Sequence, residues 1–426
     1  MDAKALMLQA LEADKESQTQ LLQAFVREAS PNPPGETARA AAVISNFLKS
    51  KGISYEIIDP QGGQPNIVSE FTGGKGPGPR VVLNGHIDVF PVGDAKEWDR
   101  DPWSGDIVDG RIHGRGVVDM KSGTASLVVA YAYLYQQRDS LSGSVALCAV
   151  SDEETGGKWG TKYLIQQDRN RWGGDVMLST EPAGCGSIRF SEKGTLRMTC
   201  ELKTRGAHGA YLNLSKGAIR TSTYFIAEVI EAVEAMPVNI PEELAFHAAK
   251  PEVKRAIDEN MGAGTSTIIL RPTVNVGTIK GGLKVNMIPD TCTFELDIRL
   301  PVGLTREEVL ALIQSIIPKY EEATIDISVH EAASNPFSFS SMNHPMVALL
   351  ADNAKTLAPK TSRPVAIPSM GATDCKHYRY AGVPAFVYGC SPLSSKLVLV
   401  TVSSGHYYSV PRTIIFNHCF LKYDEG

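Results

Sequence analysis

The segment at residues 81–88, VVLNGHID, limits the possible architectures more than any other stretch of the chain. Its apolar run shows no polar alternation, which marks a strand covered on both faces, as in the parallel sheets of α/β proteins. Gly85 then releases the run into a polar pair, His86 and Asp88. In open α/β sheets the strand ends are where chemistry collects.

Helical and strand-like segments alternate on either side of that run. A helix is predicted through QTQLLQAFVREA, stopped by SPNPPGE, and a second through ETARAAAVISNFLKSKG, ending at Gly52. The strand ISYEIID, the run VVLNGHID, the helix MKSGTASLVVAYAYLYQQ, the strand SVALCAVSDEE, the helix WGTKYLIQQ and the strand DVMLSTEP follow. This order predicts an α/β domain, a mostly parallel sheet with helices on both faces. From about Glu192 to His330 the order becomes strand, helix, paired strands, helix, strand. That predicts a smaller α+β unit inserted into the first domain. The chain returns through HPMVALLADNAKTLA and VPAFVYG. With 426 residues it is longer than one core usually serves, and the expected division is 1–191, 192–331 and 332–426, the outer two forming one domain.

Several function classes are disfavoured. A net charge of -5 without a Lys/Arg cluster argues against a nucleic-acid surface. The longest apolar run, around Leu127 to Tyr135, is too short for a bilayer, so no membrane partner is expected. The segment MDAKALMLQALEADKES carries acids among its apolar residues and does not read as a secretory signal. Seven cysteines without a C-x-x-C pair suit free thiols, and a cytoplasmic location is expected. No G-x-G-x-x-G or Walker-type loop follows a strand, which sets nucleotide binding aside.

Acidic residues gather where the apolar runs end. Asp119 lies in GRGVVDMKSG, Asp152, Glu153 and Glu154 close SVALCAV, and Glu181 closes DVMLST. Taken singly, each has an ordinary reading: a lone strand histidine is usually structural, and an acidic run is usually solvated or opens a helix. Together, at one sheet edge, so many negative charges need a cation. Imidazole with carboxylates suits zinc, cobalt or manganese. A dinuclear site, with ions roughly 3.5 Å apart, would use one carboxylate as a bridge. His86, Asp119, Glu154 and Glu181 have the chemistry of ligands, which leaves Glu153 free as a base.

The segments GHIDVFPVGDAKEWDRDPWSGDIVDGRIHGRGVVDMKSG, SDEETGGKWGTKYLI, STEP and GAHGAYLNLSKGAI resemble the signatures of the M20 family of metallopeptidases and deacylases, from about Ser30 to about Gly389. The resemblance implies a zinc-exopeptidase-like catalytic domain holding two divalent metal ions, zinc foremost, with cobalt or manganese as alternatives. His86 would bind one metal, Asp119 would bridge, Glu154 would bind the second and Glu181 would complete the first. Asp88 would orient the His86 ring. Glu153 would be the general base, acting on a metal-bridging water, and the Asp119–Met120 peptide would be cis. The inserted unit would be a lid and the interface of a homodimer. His208 would reach into the partner's site to stabilise the oxyanion. Asn286 and Arg299 would hold the substrate's carboxylate and polar groups. The implied reaction is hydrolysis of an amide or C-terminal peptide bond in a small, carboxylate-bearing N-acyl amino acid or dipeptide.

The tail departs from this pattern. After GATDCKHYRYAGVPAFVYG the family calls for one more histidine ligand and a final amphipathic helix, whereas CSPLSSKLVLVTVSSGHYYSVPRTIIFNHCFLKYDEG is rich in β-branched residues and has no helical period. His406 and His418 are the nearby candidates. One of them could serve after a longer loop, another group or water could fill the position, or the tail could be foreign sequence from a splicing or frame difference. The last is the preferred reading, and it carries an alternative function: a catalytically impaired family member with an incomplete metal site.

Overall fold

The computed structural model describes residues 3–357, 363–389 and 409–411. In chain order the principal strands are β1 (Glu56–Ile58), β2 (Asn66–Thr72), β3 (Arg80–His86), β4 (Ser144–Val150), β5 (Val176–Ser179) and β6 (Ser187–Glu192). Next come β7 (Gly194–Lys203), β8 (Thr273–Gly281), β9 (Thr291–Leu300) and β10 (Thr324–Val329), then β11 (Ser338–Phe339), β12 (Val365–Ser369) and β13 (Ala385–Val387). The larger sheet runs β1-β2-β4-β3-β5-β13-β6-β11, with β12 also paired to β6. Its centre, β4-β3-β5-β13, is parallel. Antiparallel pairs flank that centre on both sides.

The uninterrupted apolar runs have the physical consequence expected of them. Successive residues of a strand point to opposite faces, so both faces must be covered if neither is polar. Leu83, Leu147 and Leu178 pack with Phe25, Ile44, Leu48, Leu127 and Tyr131 on one face. Val82, Cys148 and Met177 pack with Leu164, Trp172 and Tyr378 on the other. The helix α1 (Ser122–Gln136) is buried from Ser122 through Ala132, as a helix that is apolar all round must be.

Residues 194–329 form a second, antiparallel sheet in the order β8-β9-β7-β10. Here one face alone is dry. In β9, Cys292, Phe294, Leu296, Ile298 and Leu300 are buried at every second position. They meet Phe225 and Val229 of α2 (Ala218–Glu234) and Val309 and Ile313 of α3 (Arg306–Ile316), so this unit has its own apolar core. α3 opens with a reciprocal capping box between Thr305 and Glu308. Where the chain crosses between the two sheets, Thr195 pairs with Asn335 and β11 pairs with the end of β6.

Segments not assigned from the sequence lie mostly at 237–272. They hold helices Glu242–Ala249 and Pro251–Met261 and a short turn, Thr265–Ile268. Val253, Ile257 and Ile269 pack on Ile367 of β12, and Leu244 joins the core of the larger sheet. β6, SIRFSE, also escaped notice because its polar residues interrupt the apolar pattern. No described helix is long and apolar enough to cross a membrane. Cys148, Cys200, Cys292 and Cys375 are free thiols.

Candidate metal centre

Three of the expected ligands come together at the carboxyl ends of the parallel strands. His86 ends β3, Asp119 precedes α1, and Glu181 follows β5. Each offers one ligand atom, and these atoms all lie within 4.8 Å of one another. His86 Nε2 is 3.2 Å from Asp119 Oδ1 and 3.6 Å from Glu181 Oε1. His86 and Glu181 are buried, whereas the Asp119 side chain is 54% exposed, so the trio is rigid behind and open in front. The Asp119–Met120 peptide is cis.

The His86 ring is aimed by its other nitrogen. Nδ1 lies 2.7 Å from the backbone carbonyl of Asp88, an acceptor for its N–H, and 3.5 Å from the Asp88 carboxylate. That carboxylate also has a second task. It accepts the backbone N–H groups of Glu153 and Glu154, at 3.2 and 3.1 Å, and the Asn32 side-chain amide at 2.9 Å. Asp88 therefore couples the histidine to the turn that presents both glutamates. Burial opposes its ionisation, but His86, Asn32 and the Glu154 N–H prevail and hold its carboxyl below the ordinary range.

The glutamate turn itself is built on Asp152. This residue is buried at φ 84, a left-handed conformation that aspartate tolerates better than most side chains. Its carboxylate accepts the Thr155 hydroxyl and, at 2.9 Å, the Trp159 N–H. Gly157, at φ 71, packs so tightly that a Cβ would lie 2.7 Å from Asp374 Oδ1.

The electrostatics of the site are those of an anionic cluster. Burial pushes the Glu153 carboxyl up to about 8, with Lys376 and His86 opposing and Asp374 and Asp119 adding to the shift. Burial and then Asp119 push Glu154 up to about 9. Glu181 is raised well above its ordinary value by burial and Asp119. For His86 burial disfavours the charge, yet Glu181, Asp119 and Asp88 raise its pKa well above normal. Burial is the largest cause of the raised carboxyls, and the neighbouring carboxylates add a second pressure that a cation at this point would relieve. The donor set, one imidazole with carboxylates, fits zinc, cobalt or manganese, and His86, Asp119 and Glu181 can hold such an ion. Glu154 stands outside the trio but within the field of Asp119.

The remaining expected residues are placed differently. His208 is exposed, its Nδ1 accepting the Ala210 N–H, and it makes no contact with the cluster within this chain. Asn286 is exposed beside it, its carbonyl accepting the Gly209 N–H. Arg299 donates Nη2 to Asp297 at 2.9 Å. His406 and His418 lie outside the described residues; Ser409–Pro411 pairs with Arg111–His113.

Residues the sequence reading did not single out also shape the site. Lys376, on α4 (Cys375–Tyr380), is buried with Nζ 3.9 Å from Glu153 Oε1, and it donates to the Thr373 carbonyl. Asn84, Thr161 and Asp374 form a buried chain of hydrogen bonds beneath the turn. Gly389 approaches the Glu181 backbone so closely that a Cβ would lie 1.9 Å from its carbonyl oxygen. The segment GATDCKHYRY carried the signal for Lys376, but nothing local shows which strand end it faces.

Known proteins resemble this chain in sequence and in fold. The succinyl-diaminopimelate desuccinylase of Methylorubrum populi is 26% identical over 380 residues, covering 87% of this chain and 89% of the relative. An M20 family metallo-carboxypeptidase from Sulfolobus solfataricus shares the fold at a TM-score of 0.68 and 20% identity, covering 88% of this chain and 91% of the other. Human carnosine dipeptidase 1 does so at 0.72 and 16%, covering 97% and 96%. The family model described as Peptidase family M20/M25/M40 matches residues 82–397. With that match and the His86, Asp119 and Glu181 trio inside it, the chain belongs to peptidase family M20/M25/M40 and is a metallohydrolase.

Proposed function

We propose that the protein hydrolyses an amide or C-terminal peptide bond in a small N-acyl amino acid or dipeptide that bears a carboxylate. The observation that carries this reading is the placement of Glu153. Its side chain is 12% exposed, is fixed through its backbone by Asp88, and lies in the field of His86 and Asp119. A carboxyl held up at about 8 can take and return a proton near neutral pH. His86, Asp119, Glu154 and Glu181 would hold two divalent ions, zinc foremost with cobalt or manganese as alternatives; when bound, these would polarise the scissile carbonyl and acidify the attacking water. Glu153 takes the proton of that water and passes it to the leaving amine. Lys376 steadies the glutamate while it is ionised.

The unit at 194–329 serves in this proposal as lid and dimerisation domain. Supporting that role, β8 is an edge strand, and Ile279, Leu283, Val285 and Met287 along and beyond it are 46–101% exposed. An apolar edge of this kind is what a second copy would cover. His208, opposite Met287, is then presented to the partner's site as an oxyanion donor, with Asn286 beside it.

The test is metal analysis of the dialysed protein, with zinc- or cobalt-supplemented turnover of N-acetyl and N-succinyl amino acids and dipeptides. Two ions per chain, with turnover lost in Glu153→Ala, is the expected result. At most one ion and no turnover on any substrate would replace this reading with the impaired family member.

A further inference from the structure

The turn that presents both glutamates ends in two glycines. Gly156 and Gly157 stand at φ 107 and 71, in the left-handed region, which glycine enters without steric cost but to which it lends no stiffness. The turn is closed from within by the Gly156 N–H on the Glu153 carbonyl at 2.8 Å and the Gly157 N–H on the Asp152 carbonyl at 2.6 Å. At its start Asp88 accepts the N–H groups of Glu153 and Glu154. Its far end is held from a distant part of the chain. His377 of α4 is buried, and its Nε2 lies 3.0 Å from the Gly156 carbonyl oxygen.

A carbonyl oxygen can only accept, so Nε2 carries the proton. Burial, joined by Lys376 and Lys162, pushes the imidazole down to about 3 against the pull of the Gly156 carbonyl, which keeps the ring neutral. The packing leaves little play: a Cβ on Gly157 would lie 2.9 Å from His377 Nε2. The neighbouring residues grip the same turn. Lys376 Nζ stands 3.9 Å from Glu153 Oε1, and Asp374 accepts the Thr161 hydroxyl at 2.8 Å, which in turn accepts the Asn84 amide of β3 at 2.8 Å. α4 thus ties the turn to the strand that ends in His86. A neutral N–H donor suits this place, because it fixes the backbone and leaves the charge beside Glu153 to Lys376.

We infer that His377 is a positioning residue, fixing through the Gly156 carbonyl where the Glu153 and Glu154 side chains stand; its effect on turnover rests on the hydrolase reading, and its effect on the turn does not. The test begins with amide hydrogen exchange, read by mass spectrometry, in the metal-free full chain as parent, His377→Phe and His377→Gln. Phenylalanine keeps a ring without a donor, and glutamine carries a neutral donor about as far from the backbone as Nε2. One net hydrogen bond corresponds to about two- to tenfold in a local opening equilibrium. Peptides covering 152–157 should exchange faster by that factor in His377→Phe, with the rest of the catalytic domain unchanged, and His377→Gln should restore them. His377→Asn, whose amide falls short of Gly156, should match His377→Phe and replaces it if that variant does not fold. In zinc-saturated protein, kcat on N-acetyl amino acids should fall in the same order, with KM within about twofold of the parent. Unchanged exchange in 152–157, faster exchange spread evenly over the domain, no recovery in His377→Gln, or a kcat indifferent to the lost protection would each overturn the inference. A turn that responds as expected in a protein that hydrolyses no substrate would uphold the positioning role and sink the hydrolase reading alone.

Discussion

Asp88→Asn isolates the coupling between the histidine and the glutamate turn. Asp88 Oδ2 accepts both Asn32 and the Glu154 N–H, whereas Oδ1 accepts the Glu153 N–H and lies 3.5 Å from His86 Nδ1. Asparagine has one acceptor oxygen, which the two donors at Oδ2 retain. Its NH2 group then faces the Glu153 N–H, donor against donor. A hydrogen bond to a charged group contributes about 1.5–3 kcal/mol, or roughly ten- to a hundredfold in an equilibrium constant. Losses of the same size, about 10–100-fold, are typical when a residue supporting metal ligands is changed. Both metal affinity, from competition with a chelator, and kcat/KM should fall by that factor, with secondary structure intact by circular dichroism. Values within twofold of the parent would refute the coupling, because the buried carboxylate would then be replaceable by a neutral group at no cost.

Two further outcomes follow from close packing and burial. Gly389→Ala places a methyl 1.9 Å from the Glu181 carbonyl, a backbone atom that no side-chain rotation can clear. Elemental analysis should show reduced metal content, and the melting temperature should drop by an amount corresponding to roughly 1–3 kcal/mol; normal metal content would show that the backbone yields without moving the ligand. In metal-stripped protein, the Glu153 carboxyl has its folded-state pKa raised from 4.5 to about 8, so its contribution to stability is full below 4.5 and lost as pH rises towards 8. The urea midpoint of Glu153→Gln should gain on the parent between pH 5 and 8 and level off above; a gap independent of pH would mean that the buried carboxyl does not titrate in that window.

Much of the centre was legible because most of its residues follow apolar strands, and strand burial is a local property of sequence. His86, Glu153, Glu154 and Glu181 each follow an uninterrupted apolar run, whereas Asp119 precedes the long buried helix α1. The helices of 237–272 differ in how legible they were: Glu242–Ala249 buries only Leu244 and Ala248 and leaves little periodic trace, whereas Pro251–Met261 buries Val253, Ala256, Ile257 and Asn260 at helical spacing, so its period is present in the sequence.

The sequence by itself determined which residues have metal and proton chemistry and that the sheet carrying them is dry on both faces. Only the tertiary structure decided what stands behind them. Lys376 reaches Glu153, Asn32 reaches Asp88, and Gly389 closes on Glu181 from distant parts of the chain. The division has one physical origin: hydrophobic periodicity is written along the chain, whereas the pairing of a buried charge depends on which element folds against it.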